Sequence, residues 1–324
     1  MGKPTIIDLA KHLGISKTTV ADALKGSGRV AEETRAKVVA AAQEIGYTPN
    51  RAARQLRDHS TGAIALYIPQ RVRNMSFYMP FALGVADRAA ENGYDLMLLS
   101  DGSAGAASWA HVDGVVLVDA DLGDPVVKSL TTASVPVVTA GRVAGFPQNR
   151  VSGTVDIDHE QMCKRILDVM AERGAQRIAL ICPEPGDEYS WSNRIIVGYR
   201  DWCEERSADA VLEIIGSFPS NEELEEALDD ALVRAGADSV LFAWQDVAFR
   251  AEALLNGKGI SVGKQVRVAT LLSSPDNLHH PYLAGLDLRP YEFGQKTAEL
   301  LCTSLSHPSA ATEYRTHLAS IAFP

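Results

Sequence analysis

The chain has 324 residues, 46% hydrophobic and 22% charged, which is too long for one small domain and apolar enough for sizeable cores. Its formal net charge of −10 argues against a nucleic-acid partner for the chain taken as a whole. Cys163, Cys182, Cys203 and Cys302 are scattered and form no CxxC pair, which excludes a disulfide framework and a cysteine zinc site.

The charge is unevenly spread. Residues 1–60 carry ten Lys and Arg against six Asp and Glu, a net +4 that leaves −14 for the remainder. A basic head on an acidic body is the asymmetry of a DNA reader with a separate ligand-binding part. No early basic stretch leads into a long apolar run, and no stretch of about 18 apolar residues occurs. A soluble, cytoplasmic protein with no membrane partner is expected.

In the head, Thr5 and Asp8 make a capping-box-like pair at the start of a first helix. Ile6, Leu9, Ala10 and Leu13 fall at helical spacing, and Gly14 ends it. Ser16 caps a second helix over about 17–25, with Val20 and Leu24 facing inward. Helix, short glycine-bearing turn, helix is the helix-turn-helix pattern. Lys17, Thr18 and Thr19 place hydrogen-bonding side chains where a recognition helix meets base edges. A third helix, Glu32 to Ile45, has Val38, Val39, Ala42 and Ile45 as its apolar stripe and Gly46 as terminator. A Tyr47-Thr48-Pro49-Asn50 turn follows, and Asn50 caps a short basic helix in which Arg51, Arg54 and Arg57 oppose Ala52, Ala53 and Leu56. That segment reads either as a solvated basic linker or as a minor-groove wedge, with arginines on phosphates and a leucine prying a base step apart.

Residues 5–57, TIIDLAKHLGISKTTVADALKGSGRVAEETRAKVVAAAQEIGYTPNRAARQLR, resemble the headpiece and hinge of the lac-repressor family of bacterial transcription regulators. The spacing agrees over about fifty positions without a gap, including the GYxPN turn and the Asn50, Ala53, Leu56 pattern. The resemblance implies that Lys17, Thr18 and Asp22 lie on the recognition helix. It implies that Ala53 and Leu56 enter the minor groove of a palindromic operator, Leu56 as the wedge. Thr5, Ser16, Thr19, Arg29, Asn50, Arg54 and Arg57 complete the expected DNA-contact set. Ala21 and Asp22 stand where the family more often has Ser-Arg, and a carboxylate accepts from a cytosine amine rather than holding phosphate. Ala31 replaces the usual serine cap, at a cost of about 1 kcal/mol.

From Gly62 strands and helices alternate. Strands are read at 63–69, 94–100, 112–119, 135–141 and 151–158, with a helix at 81–93. The pattern restarts with helices at 160–173, 193–206, 221–235 and 246–257, between strands at 177–183, 211–217, 239–244 and 266–272. Such repetition implies open parallel sheets with a ligand at the strand carboxyl ends. The expected fold is α/β: a helix-turn-helix headpiece plus a two-subdomain core that resembles periplasmic sugar-binding proteins. The expected division is 1–48 for DNA binding, 49–61 for hinge helix and linker, and 62–324 for the core. Within the core, 62–158 and 287–310 form one subdomain, 159–286 and 311–324 the other, with 312–323 as closing strand. The 100–111 connection, where the family carries a full helix, has room for one or two turns at most.

The resemblance sets the effector cleft near Ser76, Phe77, Tyr78, Asp158, Trp191, Asn193, Arg194, Trp244 and Asp246. Aromatic faces with carboxylates, amides and a guanidinium are the vocabulary of carbohydrate recognition. Each tryptophan alone also reads as packing. The family's pocket arginine lies three residues before a glycine, whereas Arg194 lies four before Gly198. Its Phe-Asp-Asp is replaced by Thr270-Leu271-Leu272, with Asp276 or Asn277 as substitutes. Arg71 and Arg73 read as solvated loop charge or as a sign of an anionic effector. His279-His280 have no carboxylate at ligand spacing, and Asp156, Asp158 and His159 have no nucleophile or phosphate loop with them. No metal, cofactor or enzyme activity is expected. The leading expectation is a transcription regulator, a repressor working as a homodimer on palindromic operator DNA under a small-molecule effector. A transporter's solute-binding protein is the alternative from another class.

Overall fold

The computed structural model describes residues 4–25, 30–47, 60–99, 106–121, 123–186, 190–272, 283–307 and 311–322. Two units separate by their internal contacts, Met1–Gly62 and Ala63–Pro324.

The first unit holds α1 (Ile6–Leu13), α2 (Lys17–Lys25) and α3 (Glu32–Glu44). Thr5 and Asp8 close the capping box, and Gly14 takes the left-handed conformation that ends α1 by returning its amide to Ala10 and Lys11. Ser16 Oγ accepts from the Thr19 amide at the start of α2. Ala31 gives α3 no side-chain cap, while Glu32 and Glu33 in the first turn favour the positive end of the helix dipole. Leu9, Val20 and Val38 are fully buried, with Ala23, Ala41, Ala42 and Tyr47 around them. Val39, expected in the stripe, is exposed. It lies about 100° around the helix from Val38, and Ala41 takes its place in the core.

The second unit carries two six-stranded sheets. The first contains β1 (Ala63–Tyr67), β2 (Asp95–Leu99), β3 (Gly114–Val118), β4 (Val137–Ala140) and β5 (Val151–Asp156), with helix α4 (Tyr78–Glu91) after β1 and the short α5 (Pro125–Leu130) after β3. Then come α6 (His159–Glu172), β6 (Ile178–Pro183), α7 (Trp191–Glu205), β7 (Val211–Ile215) and α8 (Asn221–Asp229). The second half ends with β8 (Ser239–Phe242), α9 (Gln245–Gly257), β9 (Arg267–Leu272), β10 (Leu283–Asp287), α10 (Pro290–Ser306), β11 (Glu313–Thr316) and β12 (Ser320–Ala322). Sheet orders are β11-β5-β4-β3-β1-β2 and β12-β10-β9-β8-β6-β7, parallel except for β12 against β10. Central strands such as β3 and β6 are buried along their whole length, as parallel strands covered on both faces must be. No helix among the described residues is long and apolar enough to cross a membrane.

The chain passes between the two sheets after β5, after β10 and after β11. The last passage corrects the sequence reading. Residues 312–323 are not one closing strand of the second subdomain. β11 pairs with β5 in the first sheet, and only β12 joins the second. The buried His317 and Ala319 between them mark this as a third interior crossing, where alternation alone suggested one continuous strand.

Of the 100–111 connection the described part is a 3-10 segment, Ala106–His111. α10 packs against α4 at glycines: a Cβ on Gly84 would sit 2.0 Å from the Tyr291 carbonyl oxygen, and one on Gly294 2.1 Å from that of Phe81. Only hydrogen fits at either place. This close approach fixes α10 on the first sheet's side and sets the position of Phe293.

Candidate functional site

In the headpiece, Lys17 and Thr18 are exposed at the start of α2, and Thr19 and Asp22 are half-buried. The Ser16 and Thr19 hydroxyls lie 2.8 Å apart and one donates to the other, which leaves one hydroxyl hydrogen of the pair for a phosphate. The Thr5 hydroxyl donates to Asp8 Oδ2 at 2.7 Å and so cannot donate to phosphate at the same time. That bond and a second from the Thr5 amide at 2.9 Å hold the Asp8 carboxyl below its usual range. The other expected DNA contacts, Arg29, Asn50, Ala53, Arg54, Leu56 and Arg57, lie outside the described residues.

In the second unit a cavity opens where the two sheets' strand ends meet, with about 620 Å³ of empty space including the open solvent at its mouth. Ser76, Phe77, Tyr78, Trp191, Trp244 and Asp246 all line it. Each sits at the start of a helix or just before one: Tyr78 opens α4, Trp191 opens α7, and Trp244 and Asp246 flank the first residue of α9. Phe293 adds a fifth aromatic ring. Phe77 meets it edge-on, centroids 6.3 Å apart, and Tyr78 packs edge-on against Phe77 at 5.1 Å.

Polar groups cross the cavity. Ser76 donates to Asp246 Oδ2 through its amide at 3.2 Å and its hydroxyl at 3.1 Å. Gln245 Nε2 donates to Ser76 Oγ at 2.6 Å. A loop of the first subdomain is thus tied to the first turn of α9 in the second. Tyr78 in turn donates to Asp119. Burial, then the Asp119 charge, push the Tyr78 hydroxyl well above its ordinary range.

Asp158, Asn193 and Arg194 were expected in the pocket and do not line it. Asp158 is exposed and caps α6, accepting from the Gln161 amide at 3.1 Å. Asn193 is half-buried in the first turn of α7. Arg194 is buried and turned onto the crossing after β5: Nη1 reaches Asp156 Oδ1 at 3.0 Å, Oδ2 at 3.2 Å and the Ile157 carbonyl at 2.8 Å. The one-residue offset from Gly198 explains this correction, because one residue is about 100° of helical rotation. Asp156 Oδ2 also accepts from Tyr314 at 2.6 Å and faces Arg142 Nε at 3.3 Å. This buried carboxylate therefore joins β5, β11 and the loop after β4 to α7.

Asp119, His159, Gln245, Leu271 and Leu288 also line the cavity and were absent from the expected set. Asp119 and Gln245 follow strand carboxyl ends, where the general rule for parallel sheets would have found them. Leu271 lies in the Thr-Leu-Leu that replaces the acidic motif, so the wall there is apolar. Arg71 is bound to the Asp119 carbonyl at 2.6 Å and Arg73 to that of Ile68 at 3.0 Å; neither lines the cavity. Asp276, Asn277, His279 and His280 lie outside the described residues. No group of three His, Cys, Asp or Glu among the described residues could hold a metal.

Residues 5–50 match the family described as bacterial regulatory proteins, lacI family, and residues 167–321 match a periplasmic binding protein-like domain. The chain is 30% identical over 313 residues to the HTH-type transcriptional regulator CelR of Thermobifida fusca, covering 92% of this chain and 91% of that protein. Among solved structures, a transcriptional regulator CelR–cellobiose complex superposes with a TM-score of 0.70 at 25% identity, over 98% of each chain. A lac repressor dimer bound to operator and the anti-inducer ONPF gives 0.73 at 18% identity, over 99% of this chain and 98% of that one.

Proposed function

Because this chain belongs to the lacI family of DNA-binding transcription regulators, we propose that it is a repressor whose operator affinity is set by a neutral carbohydrate in the cavity. One observation carries the choice of effector class. The cavity wall combines five aromatic rings with hydroxyl, amide and carboxylate groups and has no Lys or Arg among its described lining residues. Rings stack on the apolar faces of sugar rings while the polar groups take hydroxyls. Two carboxylates, Asp119 and Asp246, without a cation in the lining disfavour a phosphorylated or acidic effector. The binding of cellobiose by the CelR relative supports the same class.

The control mechanism follows from where the polar groups sit. Ser76 belongs to one subdomain and Gln245 and Asp246 to the other, so a sugar taking hydroxyl contacts among them changes the free energy of closure. The response is a rotation about the crossings near Asp156, Leu288 and His317. The division into a DNA-binding part at 1–48, a linker at 49–61 and an effector-binding part beyond it belongs to this proposal. Rotation reaches the headpiece through residues 49–61, and operator affinity changes by the effector's differential affinity for the two states. Lys17, Thr18 and Asp22 read bases, with Thr5, Ser16, Thr19 and Arg29 beside them on the DNA. Asn50, Ala53, Arg54, Leu56 and Arg57 act in the minor groove. Two symmetric half-sites call for a homodimer.

Thermal unfolding of the full chain with cellobiose, maltose and lactose, each against its 6-phosphate, tests the effector class. A neutral sugar should raise the midpoint in proportion to its occupancy, and its phosphate should not. Stabilisation by the phosphates alone would overturn the proposal.

A further inference from the structure

We propose that His159 is a specificity-determining residue of the cavity, donating a hydrogen bond from Nε2 to an oxygen of the bound sugar; this rests on the carbohydrate reading above. Other polar side chains of the wall are already tied to protein groups. Ser76 is held by Gln245 and Asp246, and Tyr78 by Asp119. His159 differs. It is the first residue of α6, it lines the cavity, and its Nδ1 is sealed from solvent with no hydrogen-bond partner among the described residues. The Nε2 edge is left to meet a ligand.

The protonation state follows from the surroundings. Burial first, then the neighbouring Arg194 guanidinium, lower the imidazole to about 3 against the opposing pull of Asp158. The ring is therefore neutral, with one donor and one acceptor. A hydrogen on the sealed Nδ1 would be an orphaned buried N–H, which is rarer in folded proteins than an orphaned acceptor. The proton sits on Nε2, and His159 offers the cavity a donor. Asp119 and Asp246 offer acceptors. A sugar hydroxyl or ring oxygen is matched to such a wall, and a site built to hydrogen-bond an oxygen rejects analogues that lack it.

An imidazole kept for ligand binding makes an unusual stability prediction. His159→Phe retains an aromatic ring and removes the orphaned nitrogen, and replacing an unsatisfied polar group by an apolar one is neutral or stabilising. A purely structural histidine would behave in the opposite way.

The experiment is thermal unfolding and calorimetric titration of the full chain, wild type, His159→Phe and His159→Gln, with cellobiose, maltose and lactose as probes. Without sugar, His159→Phe should unfold at the wild-type temperature or above it. With the sugar that binds wild type best, its Kd should rise about tenfold, and His159→Gln, which keeps an N–H donor, should fall between the two. A lower unliganded midpoint for both variants with unchanged Kd would assign His159 to packing and overturn the proposal. Equal sugar affinity in wild type and His159→Phe would overturn it while leaving the carbohydrate reading intact. Wild type unmoved by all three sugars would remove both.

Discussion

In the headpiece, Lys17 and Thr18 stand exposed at the start of α2 over a small core of Leu9, Val20 and Val38. In the body, Arg194 and Asp156 are buried and bound to each other, and the wall of the cavity is built from polar groups that hold one another across it. The first region keeps its candidate recognition groups away from its stability. The second places them inside it. A change in the headpiece face should therefore touch DNA binding alone, whereas a change near the cavity acts on stability and coupling together.

The largest expected effect breaks the body's side of that contrast. Arg194→Ala leaves the Asp156 carboxylate buried beside Tyr314 with only the half-exposed Arg142 as a cation. Removing one partner of a buried pair typically costs about 3–5 kcal/mol, to be read from urea unfolding of the second unit. A loss below about 1 kcal/mol would place the pair with weak surface salt bridges. Gly294→Ala comes next: its methyl would overlap the Phe81 carbonyl, and overpacking of this kind costs about 1–3 kcal/mol, with an accompanying shift of Phe293 in the cavity.

Acid should distinguish the regions in a third way. Burial is the main cause that pushes His317 down to about 4 and His159 to about 3. Below the ordinary histidine value near 6.5 the unfolded chain binds protons that the folded chain refuses, so stability falls as pH falls. The slope is up to about 1.4 kcal/mol per pH unit for each imidazole. Urea midpoints between about pH 7 and pH 5 should drop for wild type and drop less for His317→Phe. The headpiece core around Leu9, Val20 and Val38 has no histidine among its described buried residues.

The smallest effects sharpen the headpiece's side. Thr5→Ala breaks the capping box and should cost about 1 kcal/mol of headpiece stability. Lys17→Ala should change stability by less than about 0.5 kcal/mol while lowering the salt slope of operator binding by about 1.

These differences also explain what could be read from the sequence. Helix caps and ends in the headpiece depend on neighbours three or four residues away, so Thr5, Gly14 and Ser16 announced the three-helix unit. Alternation likewise announced the strands, because parallel strands buried on both faces are continuous apolar runs. The cavity was legible around the aromatic residues that end strands or start helices, at Phe77, Tyr78, Trp191 and Trp244, and at their neighbours Ser76 and Asp246. Arg194 was misplaced because a single residue of helical offset turns a side chain from the cavity to the crossing at Asp156. His159 left no local signal that distinguishes a lining residue from a cap residue, and 313–322 divides between two sheets on a pairing that no spacing records.

Control of operator binding through the cavity is tested most directly by the ratio of operator Kd with and without sugar. The duplex would be selected from random DNA by the full chain, and binding followed by fluorescence anisotropy with the disaccharide that most stabilises the protein. The expected site has two-fold symmetric halves and a Kd that changes about 5- to 150-fold when the sugar is added. Saturating sugar that stabilises the chain yet leaves operator Kd unchanged would contradict it.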